Sequence, residues 1–143
     1  MNVSSFPTFV QEHSEEWAMD RIDRDNASTV REVFEAFRDR RKQNLDDILA
    51  PNFTFTSSYD NAIGRDEFFR RCWPNGDNLE EFRIERITPD MDGAFITYLF
   101  LAKDGRSFRN TEYLRVLDGL VMSVHVYFGE SYRDGVFTAK TPE

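Results

Sequence analysis

Glu112 stands in the middle of a strand-like run, Ser107-Phe108-Arg109-Asn110-Thr111-Glu112-Tyr113-Leu114-Arg115-Val116-Leu117. Alternation along an extended chain sends Phe108, Asn110, Glu112, Leu114 and Val116 to one face. Arg109, Thr111, Tyr113 and Arg115 go to the other. A carboxyl among apolar neighbours loses hydration, which favours its neutral form and raises its pKa. Such an acid can donate a hydrogen bond to a ligand oxygen, or act as general acid or base near neutral pH. The other reading is an internal pairing of Glu112 with Arg31, Arg86 or Tyr59 that does no chemistry. The sequence leaves both open. His13 and His125 are the only histidines and Cys72 the only cysteine. Neither type forms a cluster with metal-ligand spacing, so no metal is expected. No glycine-rich phosphate loop is present, so no nucleotide cofactor is expected either. Cys72 has no activating neighbour in sequence and reads as a buried, inert thiol.

The elements that must position Glu112 are announced by turns. Asp104-Gly105 and Asp118-Gly119, fourteen residues apart, separate alternating runs and signal hairpins. Three antiparallel strands are predicted over residues 94–103, 106–117 and 120–129. Upstream, Val30, Val33, Phe34 and Phe37 repeat at helical spacing, with Thr29 and Glu32 as a capping box. Arg38, Arg40, Arg41 and Lys42 load that helix's C-terminal end, where positive charge is favoured. A short helix over Leu45–Leu49 stops at Ala50-Pro51. Phe53–Thr56 alternates as a strand, Arg65–Cys72 reads as a short helix, and Glu81–Ile87 as a further strand. In residues 1–27, Phe6, Phe9, Val10 and Trp17 share a helical face, with Thr8 and Gln11 able to cap it. The expected fold class is α+β: a cone-shaped, curved antiparallel sheet wrapped around a long helix, with an extra N-terminal helical extension.

Composition bounds the function. The chain has 143 residues, enough for one domain with a real core. Fourteen phenylalanines can line an apolar cavity or simply fill a core. A formal net charge of -8 argues against a nucleic-acid partner. No stretch has the length of a membrane span. One cysteine allows no internal disulfide and, with no secretory signal visible, the cytoplasm is the expected location.

Four segments together resemble the nuclear transport factor 2-like superfamily, in its SnoaL-like and ketosteroid-isomerase-like branch. They are Val33-Phe34-Glu35-Ala36-Phe37, Leu45 to Phe55, Gly64-Arg65-Asp66-Glu67-Phe68-Phe69, and Asp118-Gly119 followed by Val124-His125-Val126-Tyr127-Phe128-Gly129. The resemblance implies an extension over residues 1–27, a SnoaL-like domain over 28–132 and a tail over 133–143. It implies a conical cavity, but the superfamily includes isomerases, cyclases, hydrolases, dehydratases and non-catalytic members, so it fixes no activity. The isomerase base position falls on Ser57, which cannot serve as that base. The oxyanion tyrosine position falls near Val33. The protonated-acid position falls on Glu112. Asp60, three residues beyond Ser57, is a candidate replacement for the base, although an Asp beside Asn61 also suits a turn. The Arg-x-Asp of the hydrolase pattern is absent from Ile96-Thr97-Tyr98-Leu99.

Register decides what Glu112 faces. A three-residue loop at Leu117-Asp118-Gly119 is preferred, pairing Glu112 with Val124. A two-residue loop at Asp104-Gly105 pairs Thr97 with Glu112 and Leu99 with Asn110. The cavity is then walled by Phe95, Leu99, Leu101, Leu114, Met122, Val124, Val126 and Phe128, with Thr97, Asn110 and Glu112 as polar groups. Ser57, Tyr59 and Trp73 join the ligand-contacting set at the rim. The expected catalytic residues are Glu112 and Asp60. The expected ligand is a small hydrophobic molecule carrying a carbonyl or hydroxyl. The reading is an isomerase, cyclase or lyase; the rival is a non-catalytic binding or dimeric interaction module. The outer sheet face, with Tyr98, Phe100, Tyr113, His125, Tyr127, Arg109 and Arg115, is expected to form a homodimer.

Overall fold

The computed structural model describes residues 5–138, with side chains from Ala18 onward. From Thr8 to Ala50 the chain contains neither glycine nor proline, and nothing interrupts its first helix. Helix α1 runs unbroken over Ser5–Arg38, 34 residues. The separate helix capped by Thr29 is therefore corrected: residues upstream of Thr29 are already helical, so no free N–H groups await a cap. The expected face of Phe6, Phe9, Val10 and Trp17, and the Thr8–Gln11 cap, lie outside the described side chains. In its last four turns α1 buries Asn26, Val30, Val33, Phe34 and Ala36. It ends in a left-handed residue, Arg40 at φ 58°, with Arg41 N–H donating to the Ala36 carbonyl at 2.8 Å. That bond across five residues is the Schellman closure, built here on an arginine instead of the usual glycine.

Helix α2 (Lys42–Ile48) turns the chain into strand β1 (Leu49–Thr56). Pro51 is tolerated there because β1 is an edge strand. Helix α3 (Arg65–Arg71) and a 3-10 turn over Trp73–Asn78 follow. Then come β2 (Leu79–Asp90), β3 (Gly93–Ala102), β4 (Arg106–Leu117), β5 (Leu120–Arg133) and β6 (Val136–Thr138). The sheet order is β1-β5-β4-β3-β2, with β6 paired to β5. The expected α+β architecture is present. The sheet is mixed, because β1 runs parallel to β5 while the other pairs are antiparallel. Register shifts interrupt β2, β4 and β5 and bend the strands around α1, which packs on β2 and β3. Several elements depart from their expected limits, and β1 already begins at Leu49, which was expected to be helical. Strand β2 continues to Asp90, β5 reaches Arg133, and the polar tail forms β6 through a third turn, Asp134-Gly135. Asp134 and Gly135 have the same positive φ angles, 51° and 77°, as Asp118 and Gly119.

Both expected hairpin loops are off by one residue. The β3–β4 loop has three residues, Lys103-Asp104-Gly105, since Leu101 pairs with Ser107 and only Gly105 is left-handed. The β4–β5 loop has two, Asp118-Gly119, since Leu117 pairs with Leu120. Both its residues are left-handed, the pattern of a type I′ turn. The first change reverses β3. Ile96, Tyr98, Phe100 and Ala102 face inward, and Phe95, Thr97, Leu99 and Leu101 turn to the other face. The second change is cancelled by a bulge at Met122. Val121 pairs with Val116, but Ser123 pairs with Arg115, so Val124 and Val126 still face inward. Glu112 pairs with Ile96 on one side and Val126 on the other. The expected partners, Thr97 and Val124, are replaced.

Candidate functional site

A cavity of about 270 Å³ lies between α1, the inner face of the sheet and the β1–α3 segment. Strand β4 contributes alternate residues along its length: Arg106, Phe108, Asn110, Glu112 and Leu114. Phe34, Phe82, Tyr98 and Phe100 form an aromatic wall opposite β1 and β5. Phe34 and Phe82 stack with ring centres 5.6 Å apart, and Phe82 meets Tyr98 at 4.8 Å. Val124, Val126 and Phe128 of β5 line the cavity as expected from sequence, and Tyr59 leans on Phe128 at 5.5 Å. Asn75, Asn78, Arg106 and Ser131 add polar groups at the end where β3 stops and β4 begins.

Glu112 is buried, 9% exposed, and is held by a three-link chain of hydrogen bonds. Tyr98 Oη donates to Glu112 Oε2 at 2.5 Å. Asn110 Nδ2 donates to Tyr98 Oη at 3.0 Å. The Gly129 backbone N–H donates to Asn110 Oδ1 at 3.0 Å. Burial pushes the Glu112 carboxyl up to about 7, against the opposing pull of the Tyr98 hydrogen bond. No cation offsets the desolvation: the pairings with Arg31 and Arg86 are not formed among the described residues. The internal partner is a tyrosine, Tyr98 rather than Tyr59.

The other candidates separate cleanly. Asp60 does not line the cavity. Its side chain is fully buried, with Arg71 Nη1 2.6 Å from Oδ1 and Ser57 Oγ donating to Oδ2 at 3.2 Å. The Arg71 contact is an ion pair without hydrogen-bond alignment. Ser57 closes the same turn, its Oγ accepting from the Tyr59 N–H at 3.1 Å. Both residues therefore hold the β1–α3 loop and are removed from the set that reaches the cavity. Thr97 and Leu99 are likewise corrected. They lie on the opposite face of β3, where Thr97 bonds Thr111 at 2.8 Å. Phe95 is 45% exposed on that face, and neither it nor Leu101 walls the cavity. Trp73 packs edge-on against Phe37 at 5.7 Å, beneath the Arg40 guanidinium at 4.0 Å, and is core filling beside the cavity. Met122 sits at the bulge and does not line this cavity.

Tyr98, Phe100, Phe82 and Arg106 are among the cavity residues that sequence reasoning missed, as are Phe34, Asn75, Asn78 and Ser131. Tyr98 and Phe100 were assigned to the outer face by the two-residue loop. No local signal marks the difference, since an Asp-Gly pair suits a two-residue turn as well as a three-residue loop with glycine in its left-handed last position. The outer face retains Tyr113, His125, Tyr127, Arg109 and Arg115, joined by Phe95, whose ring lies 4.6 Å from that of Tyr113.

The model of the SnoaL-like domain matches residues 30–124, from the buried half of α1 to the inward part of β5. The chain belongs to the SnoaL-like family. Its fold is that of the nuclear transport factor 2-like superfamily, as the similar structures show. One is a candidate ketosteroid isomerase from Kribbella flavida DSM 17836, 19% identical, with a TM-score of 0.67 over 81% of this chain and 84% of that one. Another is AclR, a candidate hydroxylase from Streptomyces galilaeus, 15% identical, with a TM-score of 0.65 over 75% and 90%. A third is Bal32a from a soil-derived mobile gene cassette, 18% identical, with a TM-score of 0.61 over 75% and 91%. At these identities the likeness speaks for the fold alone. No curated protein matches the sequence significantly. Among the described residues no helix is long and apolar enough to cross a membrane, and no cluster of histidine, cysteine, aspartate or glutamate could hold a metal.

Proposed function

We propose that this SnoaL-like protein binds a small hydrophobic molecule in the cavity and moves a proton on it through Glu112. The observation that carries this reading is a buried carboxyl poised at about 7 on the wall of an apolar cavity. A group titrating near the working pH is present in both forms and suits proton transfer. Its Oε1 has no hydrogen-bond partner among the described residues, whereas Oε2 is taken by Tyr98. A ligand carbonyl or hydroxyl is the natural occupant of that oxygen. The reaction class is an isomerase, cyclase or lyase step, in which a carbon-bound proton is removed or returned. At about 270 Å³ the cavity is just below the usual range of roughly 300–1,000 Å³ for ligand sites, so the ligand is small.

One observation favours the second reading, a non-catalytic binding module. Asp60 is tied to Arg71 and lines no part of the cavity, so among the described residues Glu112 has no partner carboxylate there. Deuterium exchange separates the two. Incubated in D2O with small aryl ketones, the catalytic protein accelerates exchange at the carbon beside the carbonyl, and Glu112→Gln abolishes that acceleration. Ketone binding without any exchange would favour the binding module. For partners, the outer face with Phe95, Tyr113 and Tyr127 supports a homodimer, because exposed aromatics with nearby arginines are enriched at interfaces.

A further inference from the structure

We infer that Asn110 is a positioning residue that aims the acidic proton of Glu112 into the cavity, so that the site selects ligands whose oxygen accepts a hydrogen bond. This rests on the cavity reading above and adds a direction to it. The argument follows from which atoms can donate. A backbone N–H can only donate, so the atom of Asn110 facing Gly129 must be its carbonyl oxygen. The amide nitrogen then faces Tyr98, and an amide NH2 can only donate. Tyr98 Oη accepts there and carries a single hydrogen, which is directed at Glu112 Oε2. When Glu112 is protonated, Oε2 is already receiving a hydrogen bond. Its own proton belongs on Oε1, the oxygen that no described residue bonds, on a side chain that lines the cavity. Each link fixes the next, and the polarity originates in the main chain.

The origin is built by the sheet. Between Phe108 and Asn110 the β4–β5 register slips, so that Gly129 and Glu130 together face Arg109. A bulge of this kind takes one residue out of the regular ladder. The freed Gly129 N–H is what reaches the Asn110 side chain. Only glycine fits the position, since a Cβ there would lie 1.8 Å from the Arg109 carbonyl oxygen. Asn110 itself is buried, 5% exposed, and lines the cavity between Phe108 and Glu112. An aspartate in its place would accept from Gly129 and also from Tyr98. The tyrosine hydrogen would turn away from Glu112, leaving Oε2 free to hold the acidic proton against Tyr98 Oη.

The test uses acetophenone, an apolar ketone that can accept but not donate, bound to the full chain and followed by its infrared carbonyl band at pH 5. In the native protein the band shifts to lower frequency than in hexane, and the shift disappears at pH 9, where Glu112 is ionised. Asn110→Asp and Asn110→Ala still bind the probe within about threefold but lose most of the shift. Tyr98→Phe keeps it, because Oε2 then has no hydroxyl to bond and the proton remains available to the ligand. If Asn110→Asp does not fold, Asn110→Ala reads the same point without an added charge. A native band in both Asn110 variants, or loss of the shift in Tyr98→Phe, overturns the inference. Acetophenone bound with an unshifted carbonyl in the native protein overturns it while leaving the cavity reading intact. No binding at all overturns both.

Discussion

Replacing Glu112 by glutamine should make the protein more stable at neutral pH and slightly less stable in acid. Glu112 titrates at about 7 in the fold, against 4.5 for the ordinary group. The fold prefers the protonated form, so the contribution of Glu112 is complete below pH 4.5. It is lost as pH rises towards 7 and stays lost above that. Each pH step between those values is worth about 1.4 kcal/mol, so ionising Glu112 in place costs about 3 kcal/mol. Glutamine has nearly the same shape, accepts the Tyr98 hydrogen bond through its carbonyl, and cannot ionise. Imperfect placement of its amide costs about 1 kcal/mol at every pH. The difference between the two proteins should therefore run from about -1 kcal/mol at pH 4.5 to about +2 kcal/mol at pH 8. For a domain of this size that is a relative shift in Tm of about 10 °C across the range. Other titrating groups are common to both proteins and cancel in the difference. Urea or thermal unfolding of native and Glu112→Gln protein at half-unit pH steps measures it. A difference that stays constant from pH 4.5 to 8 would refute the reasoning, because it would mean that Glu112 has an ordinary pKa in the fold.

Four further outcomes are expected. Tyr98→Phe removes the donor that lowers the Glu112 pKa, so the midpoint of the Glu112-dependent stability change should move upward, measured by the same pH series. Gly129→Ala forces a Cβ against the Arg109 carbonyl and should destabilise by about 3 kcal/mol or more, read from urea midpoints. Asp60→Ala removes the partner of Arg71 from the β1–α3 loop and should cost about 1–3 kcal/mol, while acetophenone affinity per folded molecule stays within twofold by calorimetry. The native protein should run as a dimer in light scattering at micromolar concentration, and Tyr127→Asp, at a position 59% exposed, should shift it to monomer without lowering Tm; a native monomer would refute the outer-face interface.

Much of the fold was legible because its signals are local. The Asp-Gly turns, the helical spacing of Val30, Val33, Phe34 and Phe37, and the alternation in β4 each report one element directly. The register was not, for an identifiable reason. An Asp-Gly pair fits both a two-residue turn and the last two positions of a three-residue loop. Asp118 adopts the left-handed conformation and Asp104 does not, and nothing local in the sequence separates them. Alternation normally settles such a choice, but β3 is apolar on both faces: Ile96, Tyr98 and Phe100 on one, Phe95, Leu99 and Leu101 on the other. Strand β5 escaped the same error only because the bulge at Met122 restored the parity. Glu112 and Asn110 were found because β4 alternates clearly. Tyr98 was lost because β3 does not. Asp60 looked like a base from its chain position, and only the approach of Arg71 from α3 shows that it is already paired.

Titration of the Glu112 side-chain carboxyl by carbon-13 NMR is the most direct test of the central claim. Glutamate-labelled protein, with Glu112→Gln to assign the resonance, would be titrated with and without saturating acetophenone. The account predicts a midpoint at about 7 in the free protein. It predicts a further rise with the ketone bound, because a ligand that accepts the acid's proton stabilises the protonated form and linkage is reciprocal. A free-protein midpoint in the ordinary range of about 4–5, or a midpoint that the bound ketone leaves unmoved, would contradict it.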